Sequence, residues 1–391
     1  MFERVKDVGH PNEELLSVYR EHGVVRRGGR DDNFNKAALD RSIYQLIHPG
    51  WFVVNRMKAW QGSVGVSAYR GIVSGHYICF RPTHAEDHKF LNWLFRSGVY
   101  TAEYSSLSRG VRPNQVEIDN DWLRSLRVML PSLEEQRRIA DFLDAEVARI
   151  DRLRQRDVQL INLLAERRQA VIDHEVEAAS GALVKLFWKV SLLRDGTHQP
   201  PPRVDFGVPL LTARNVSTGK LRLTEIDTHV GESDADILDR SFRLEAHDVL
   251  LSVKGTIGAC AVTPSDFPRV VLDRNVALLR PLEGQSSEWL CFVLRSTRLQ
   301  QQMRISVAAA AQPGLPLGVI RELRVPDVPS PEQRERVAYI SARCKEIDDV
   351  LDRVECKQSV LAERRQSLIT AAVTGKFDVS TASGRNVTDG I

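Results

Sequence analysis

Glu135-Gln136-Arg137 recurs as Glu332-Gln333-Arg334, and Leu164-Ala165-Glu166-Arg167-Arg168-Gln169 recurs as Leu361-Ala362-Glu363-Arg364-Arg365-Gln366. Both matches share one offset of 197 residues, and Ile150-Asp151 against Ile347-Asp348 keeps it between them. A register held over so long a stretch marks a duplication. Each copy opens on a stop signal, Pro131-Ser132 or Pro329-Ser330, with the serine suited to cap a helix, and closes near Ser180-Gly181 or Thr374-Gly375. In the first copy, positions advancing by four and three in turn carry Ile139, Leu143, Ile150, Leu153, Leu160 and Leu164; in the second the matching positions carry Ile340, Ile347, Val350, Val354, Leu361 and Leu368. A repeat of about 3.5 residues without internal Pro or Gly predicts two long helices with a coiled-coil seam.

The segments before each helix also match. Leu15-Leu16-Ser17-Val18 parallels Leu210-Leu211-Thr212-Ala213, Gly62-Ser63-Val64-Gly65 parallels Gly255-Thr256-Ile257-Gly258, and Arg81-Pro82 parallels Arg280-Pro281. Short β-branched runs such as Val249 to Val253, bounded by Gly, Pro and Asn, read as strands, and His88 to Arg96 and Ser287 to Met303 read as helices beside them. The expected fold is α+β: a mixed α/β domain over residues 1–130, a spacer helix over 131–180, a second such domain over 181–328, a second spacer helix over 329–376 and a tail over 377–391. Carrying the Leu15–Leu210 match back to the start sets Met1 near position 196, so the first domain is expected to lack a counterpart of about Leu183 to Asp195.

Composition excludes several classes. With 54 Lys and Arg against 51 Asp and Glu, the formal net charge is +3, so a DNA-binding face has to be a local concentration of charge. The cysteines Cys79, Cys260, Cys291, Cys344 and Cys356 form no CxxC pair, and no secretory h-region or membrane-length apolar run is seen; a reduced, cytoplasmic protein is expected. No phosphate loop, GxGxxG turn or methyltransferase motif occurs. His84 and His88 stand four apart, as zinc ligands on a helix do, but the acid is one place off and no third ligand is evident, so no metal and no catalytic group are assigned.

Basic and amide side chains do gather near glycine-rich turns. The candidates for DNA contact are Arg26, Arg27, Asn55, Lys58, Arg109 and Arg112 in the first domain, with Arg30, Asn33, Asn35 and Arg56 nearby, and His198, Arg203, Arg214, Asn215, Lys254, Arg274 and Asn275 in the second. Arginine forks match guanine O6 and N7, amides match adenine N6 and N7, and lysines match phosphates.

Two globules alternating with two helices that share the signature Pro131-Ser132-Leu133-Glu134-Glu135-Gln136-Arg137-Arg138-Ile139-Ala140, and the opening Asp195-Gly196-Thr197-His198-Gln199-Pro200, resemble the specificity subunits of type I restriction-modification enzymes. The resemblance implies two target-recognition domains, each reading one half of a split, asymmetric site in double-stranded DNA, and two helices paired antiparallel that set the spacing and dock methyltransferase (M) subunits, two of them. Restriction (R) subunits join through the complex. It further implies a non-catalytic chain, with S-adenosylmethionine, ATP and Mg held by the partners. Two other readings stay open: a coiled-coil scaffold whose globules bind protein, and a decayed or recombined specificity subunit with one working recognition domain.

Overall fold

A computed structural model describes residues 1–27, 41–109, 116–119, 123, 126–197, 199, 201–216, 219–308 and 314–379. The chain divides into two compact units, one of Met1–Val158 with Glu355–Ile391 and one of Gln159–Val354. The cuts fall inside the two long helices, Leu133–Glu177 and Ser330–Val373, and not at their ends. The reason is packing. Ile139, Ala140, Leu143 and Val147 of the first helix and Ile369, Ala372 and Val373 of the second belong to the core of the first unit, whereas Ile172, Val176, Ile340 and Cys344 belong to the core of the second.

In the first unit the strands are β1 (Phe2–Val5), β2 (Leu16–Tyr19), β3 (Gly23–Arg26), β4 (Gln45–Ile47), β5 (Phe52–Asn55), β6 (Val64–Val66), β7 (Gly71–Val73), β8 (Tyr77–Pro82), β9 (Ser108–Arg109) and β10 (Glu117–Ile118). The main sheet runs β1-β8-β5-β6, with every pair antiparallel. Phe52, Val54 and Phe80 on one face of it close on Phe90, Leu91, Leu94 and Phe95 of the helix His88–Phe95. In β5 the alternate residue Val53 faces a second apolar cluster with Val18 and Val73, so this strand is buried on both faces and reads as a continuous apolar run.

The second unit contains β11 (Leu183–Lys185), β12 (Val190–Asp195), β13 (Arg203–Val204), β14 (Val208–Leu211), β15 (His229–Val230), β16 (Val249–Ser252), β17 (Cys260–Val262), β18 (Val271–Leu272), β19 (Val276–Pro281) and β20 (Arg324–Pro326). Its main sheet, β12-β19-β16-β17, repeats the order of the first. The parallel pairing of Leu210 with Val271 likewise repeats that of Leu15 with Ile72.

That equivalence corrects part of the expectation about the chain start. Phe2 pairs with Pro82 as Val190 pairs with Pro281, so β1 is the counterpart of β12, and of the stretch 183–195 expected to have no counterpart the part Val190–Asp195 has one. The extrapolation failed because the second unit inserts residues, β13 among them, between its edge strand and β14.

Within each unit the long helices run antiparallel. In the first, Asp151 pairs with Arg365 at 3.2 Å and Asp157 with Lys357 at 2.8 Å; in the second, Arg168 pairs with Asp348 at 3.1 Å and Glu175 with Arg336 at 2.8 Å. Ile139, Leu143, Ile150, Ile340, Ile347, Val354 and Leu361 are buried, and Leu153, Leu164, Val350 and Leu368 are half-buried. Leu160 is a correction: it is exposed, and Ile161 turns inward in its place. The inward positions run 143, 147, 150, 154, 157, 161, 164 and 168, so Val147 replaces the expected position 146.

The repeated Glu-Gln-Arg has a structural cause. Gln136 is fully buried; its amide nitrogen donates to the Pro131 carbonyl and Glu86, and its oxygen accepts from the Asp87 N–H, the N-cap of the helix His88–Phe95. Gln333 does the same with the Val328 carbonyl, Gln285 and the N–H of Ser286, which caps the helix Ser287–Arg295. Each glutamine therefore fastens a long helix to the start of a shorter helix in the same unit.

Candidate nucleic-acid interface

The same end of the main sheet carries exposed cations in both units. In the first, β5 stops at Asn55, whose side-chain oxygen accepts from the Met57 N–H at 3.1 Å, an Asx turn that reverses the chain. The next N–H, of Arg56, donates to the His76 carbonyl at 3.2 Å and ties this turn to the one between β7 and β8. Lys58 is exposed there, and the Arg56 guanidinium reaches Glu117 at 2.7 Å. His76, exposed on the partner turn, was not picked out from the sequence; no local pattern marks it.

In the second unit the Val253 N–H donates to the Asn275 carbonyl at 2.9 Å, joining the turn after β16 to the turn between β18 and β19. Lys254 and Arg274 are exposed on these two turns, and neither side chain has a partner among the described residues. Asn275 is half-buried, with its N–H bound by Asp273 at 3.0 Å. The structure thus brings together Lys254, Arg274 and Asn275, as it does Asn55 and Lys58.

The other candidates lie apart or are otherwise engaged. Arg26, at the end of β3, sits over the Tyr69 ring at 5.0 Å and 3.4 Å from Glu14. Arg27 is half-buried, its N–H bound to the Leu15 carbonyl. Arg203 is exposed on β13 without a partner among the described residues, and three residues on Phe206 is 91% exposed. Arg109 lies on β9, its side chain outside the described residues; Arg30, Asn33, Asn35, Arg112 and His198 also lie outside them.

Asn215 is a correction. It is 3% exposed; its oxygen accepts from the Thr212 N–H and hydroxyl, and its nitrogen donates to the Arg222 carbonyl and to Asp227. No edge is left for a base, and its work is to fold the loop after β14. Asp227 completes that loop, accepting also from the Thr224 N–H at 2.6 Å and from Arg214 at 3.0 Å. Burial alone would raise its carboxyl, but these donors outweigh burial and hold it below the usual carboxylate range.

Not every arginine is available. Arg280 is spent on Asp248, Glu245 and the Arg243 carbonyl, and Arg269 on Glu232, Asp236 and Asp239. The histidine pair gathers no third ligand: His84 and His88 pack edge to face at 6.4 Å, and no cluster of three or more His, Cys, Asp or Glu suited to a metal occurs among the described residues. His84 is held below the usual histidine range, first by burial and then by the His88 charge. All five cysteines are free. Among the described residues no helix is long and apolar enough to cross a membrane.

Residues 17–161 match the family described as type I restriction modification DNA specificity domain. The EcoKI specificity subunit of Escherichia coli (strain K12) is 23% identical, an alignment that covers 95% of this chain and 86% of that one. The EcoBI specificity subunit of Escherichia coli is also 23% identical, over 64% of this chain and 60% of the relative. A solved structure described as "Structural basis underlying complex assembly and conformational transition of the type I R-M system" shares the fold, with a TM-score of 0.70 at 14% identity over 95% of this chain and 97% of that one. The repeated domain-and-helix plan and these matches agree: residues 17–161 match the DNA specificity domain of type I restriction-modification systems, and nearly the whole chain is similar to a specificity subunit of such a system.

Proposed function

We propose that this chain is the DNA-addressing subunit of a type I restriction-modification complex, each recognition domain reading one half of a split, asymmetric site and the helix pair setting the distance between the halves. The observation that carries the reading is the recurrence of one sheet end in both units with cations at its turns, Lys58 in one and Lys254 and Arg274 in the other. Two similar heads with different side chains suit two different half-sites, because base identity is read by a few side chains while phosphates fix register.

The chemistry belongs to partners in this reading. Two methyltransferase subunits dock on the helices and hold S-adenosylmethionine, and restriction subunits with ATP and Mg join them in the cytoplasm. The test is the methylome of a host that expresses the chain with its methyltransferase partner. A bipartite methylated motif with a fixed spacer is expected; a continuous motif, or none from an intact complex, overturns the proposal.

A further inference from the structure

Phe95-Arg96-Ser97 and Leu294-Arg295-Ser296 are equivalent positions, at the C-terminal ends of the helices that pack on the two main sheets. The two arginines are used differently. The Arg96 guanidinium donates to the Glu21 carbonyl and lies 5.7 Å from the Trp93 ring centre, and burial lowers it to about 10. Arg295 is half-buried, and its guanidinium has no hydrogen bond, ion pair or ring partner among the described residues. It lines an open cavity of about 310 Å³ with Gln169, Gly219, Gly258 and Gln300.

Every other donor of those side chains is committed. The Gln169 amide nitrogen donates to Asp173 and to the Arg295 carbonyl, and that of Gln300 donates to the Gly258 and Leu294 carbonyls. Asp173, the acid nearest in this network, is itself bound by the N–H and hydroxyl of Thr297 at 2.7 Å each. The walls are open because two residues lack a Cβ: Gly219, at φ +72°, would place one 3.1 Å from the Arg295 guanidinium, and Gly258, at φ +90°, would run one into Gln300. The buried thiols of Cys260, Cys291 and Cys344 all feel the Arg295 charge, and among the described residues no carboxylate pairs with it.

We propose that Arg295, with the glycine walls of Gly219 and Gly258, forms a pocket for a phosphate oxyanion. A guanidinium fork matches two oxygens of such a group, and glycine lets it approach the backbone. Two sources share this chemistry, a backbone phosphate of DNA and free inorganic phosphate, and the first rests on the DNA-addressing role proposed above.

Two measurements on the full chain with its methyltransferase partner separate them. If DNA supplies the group, Arg295→Gln weakens cognate and non-cognate DNA alike and lowers the slope of log affinity against log salt by about one, while Arg295→Lys keeps the slope. If the source is free phosphate, calorimetry shows inorganic phosphate binding to the wild-type chain and not to Arg295→Gln, with DNA affinity unchanged. Should Arg295→Gln fail to fold, Gly219→Ala, which narrows the pocket and keeps the charge, is expected to weaken binding of whichever source the wild type takes. The pocket is overturned if the wild type binds no inorganic phosphate and the folded variant leaves DNA affinity and salt slope unchanged. A wild-type complex that binds no DNA counts instead against the DNA-addressing role, and the phosphate titration still decides the pocket.

Discussion

Asp227 shows how a buried side chain orients an exposed candidate. Its carboxylate is buried and takes donors from Thr224, Asn215 and Arg214, so the Arg214 guanidinium leaves the loop in a fixed direction. A lowered carboxyl stabilises the fold above its unfolded value, near pH 4, and that contribution is lost as pH falls through the folded value. Asp227→Asn is therefore expected to cost about 2 kcal/mol at pH 7 and to flatten the dependence of stability on pH below about 4, as read by urea melts across pH. Lys254 supports a functional counterpart. With no partner to lose among the described residues, Lys254→Ala should leave the melting curve unchanged and reduce methylation through the second half-site alone, measured on DNAs in which the half-sites are exchanged one at a time. Equal loss through both half-sites would contradict the assignment.

At the scale of elements, the long helices were legible because a repeat of about 3.5 residues survives interruption, but the phase of the seam was not. Near the middle, Val158, Leu160 and Leu163 are apolar and exposed, while the inward positions hold Arg154 and Asp157, paired with Gln358 and Lys357. Hydrophobicity there points the wrong way, and only the partner helix decides which face turns in. The candidate interface was legible only in part for a related reason: Arg280 and Arg274 look alike in sequence, and acids more than 25 residues away in the chain make one structural and leave the other exposed. Gln136 and Gln333 were seen as part of a repeated motif, yet their role depends on contacts about 50 residues upstream. Replacing Gln333 by Leu strands the Ser286 N–H and the Val328 carbonyl, so a loss of about 1–3 kcal/mol is expected for each group left unsatisfied. Gln136→Leu should behave alike, and double-mutant melts should show the two losses adding, since the sites share no partner. Ile150→Asn, at a buried seam position, is expected to weaken the helix pair and reduce recovery of the methyltransferase complex in a pull-down.

For the whole molecule, duplication has one consequence that neither copy carries alone. The helices Leu133–Glu177 and Ser330–Val373 have 45 and 44 residues and run antiparallel within each unit, so a change of length in one has to be matched in the other to preserve both sets of pairs. Seven residues restore the heptad phase and add about 10 Å of helix, which is about three base pairs of duplex. Inserting one heptad between Val158 and Gln159 and one between Val354 and Glu355, where the compact units divide, leaves every described contact within a unit in register. The methylome of a host carrying that variant with its methyltransferase is then expected to show both half-site sequences unchanged and the spacer about three base pairs longer. A single insertion should instead abolish methylation, because the pairs of Arg168 with Asp348 and Asp157 with Lys357 cannot both be kept. An unchanged spacer in the double insertion, or altered half-site bases, would refute the helix pair as the element that sets the distance.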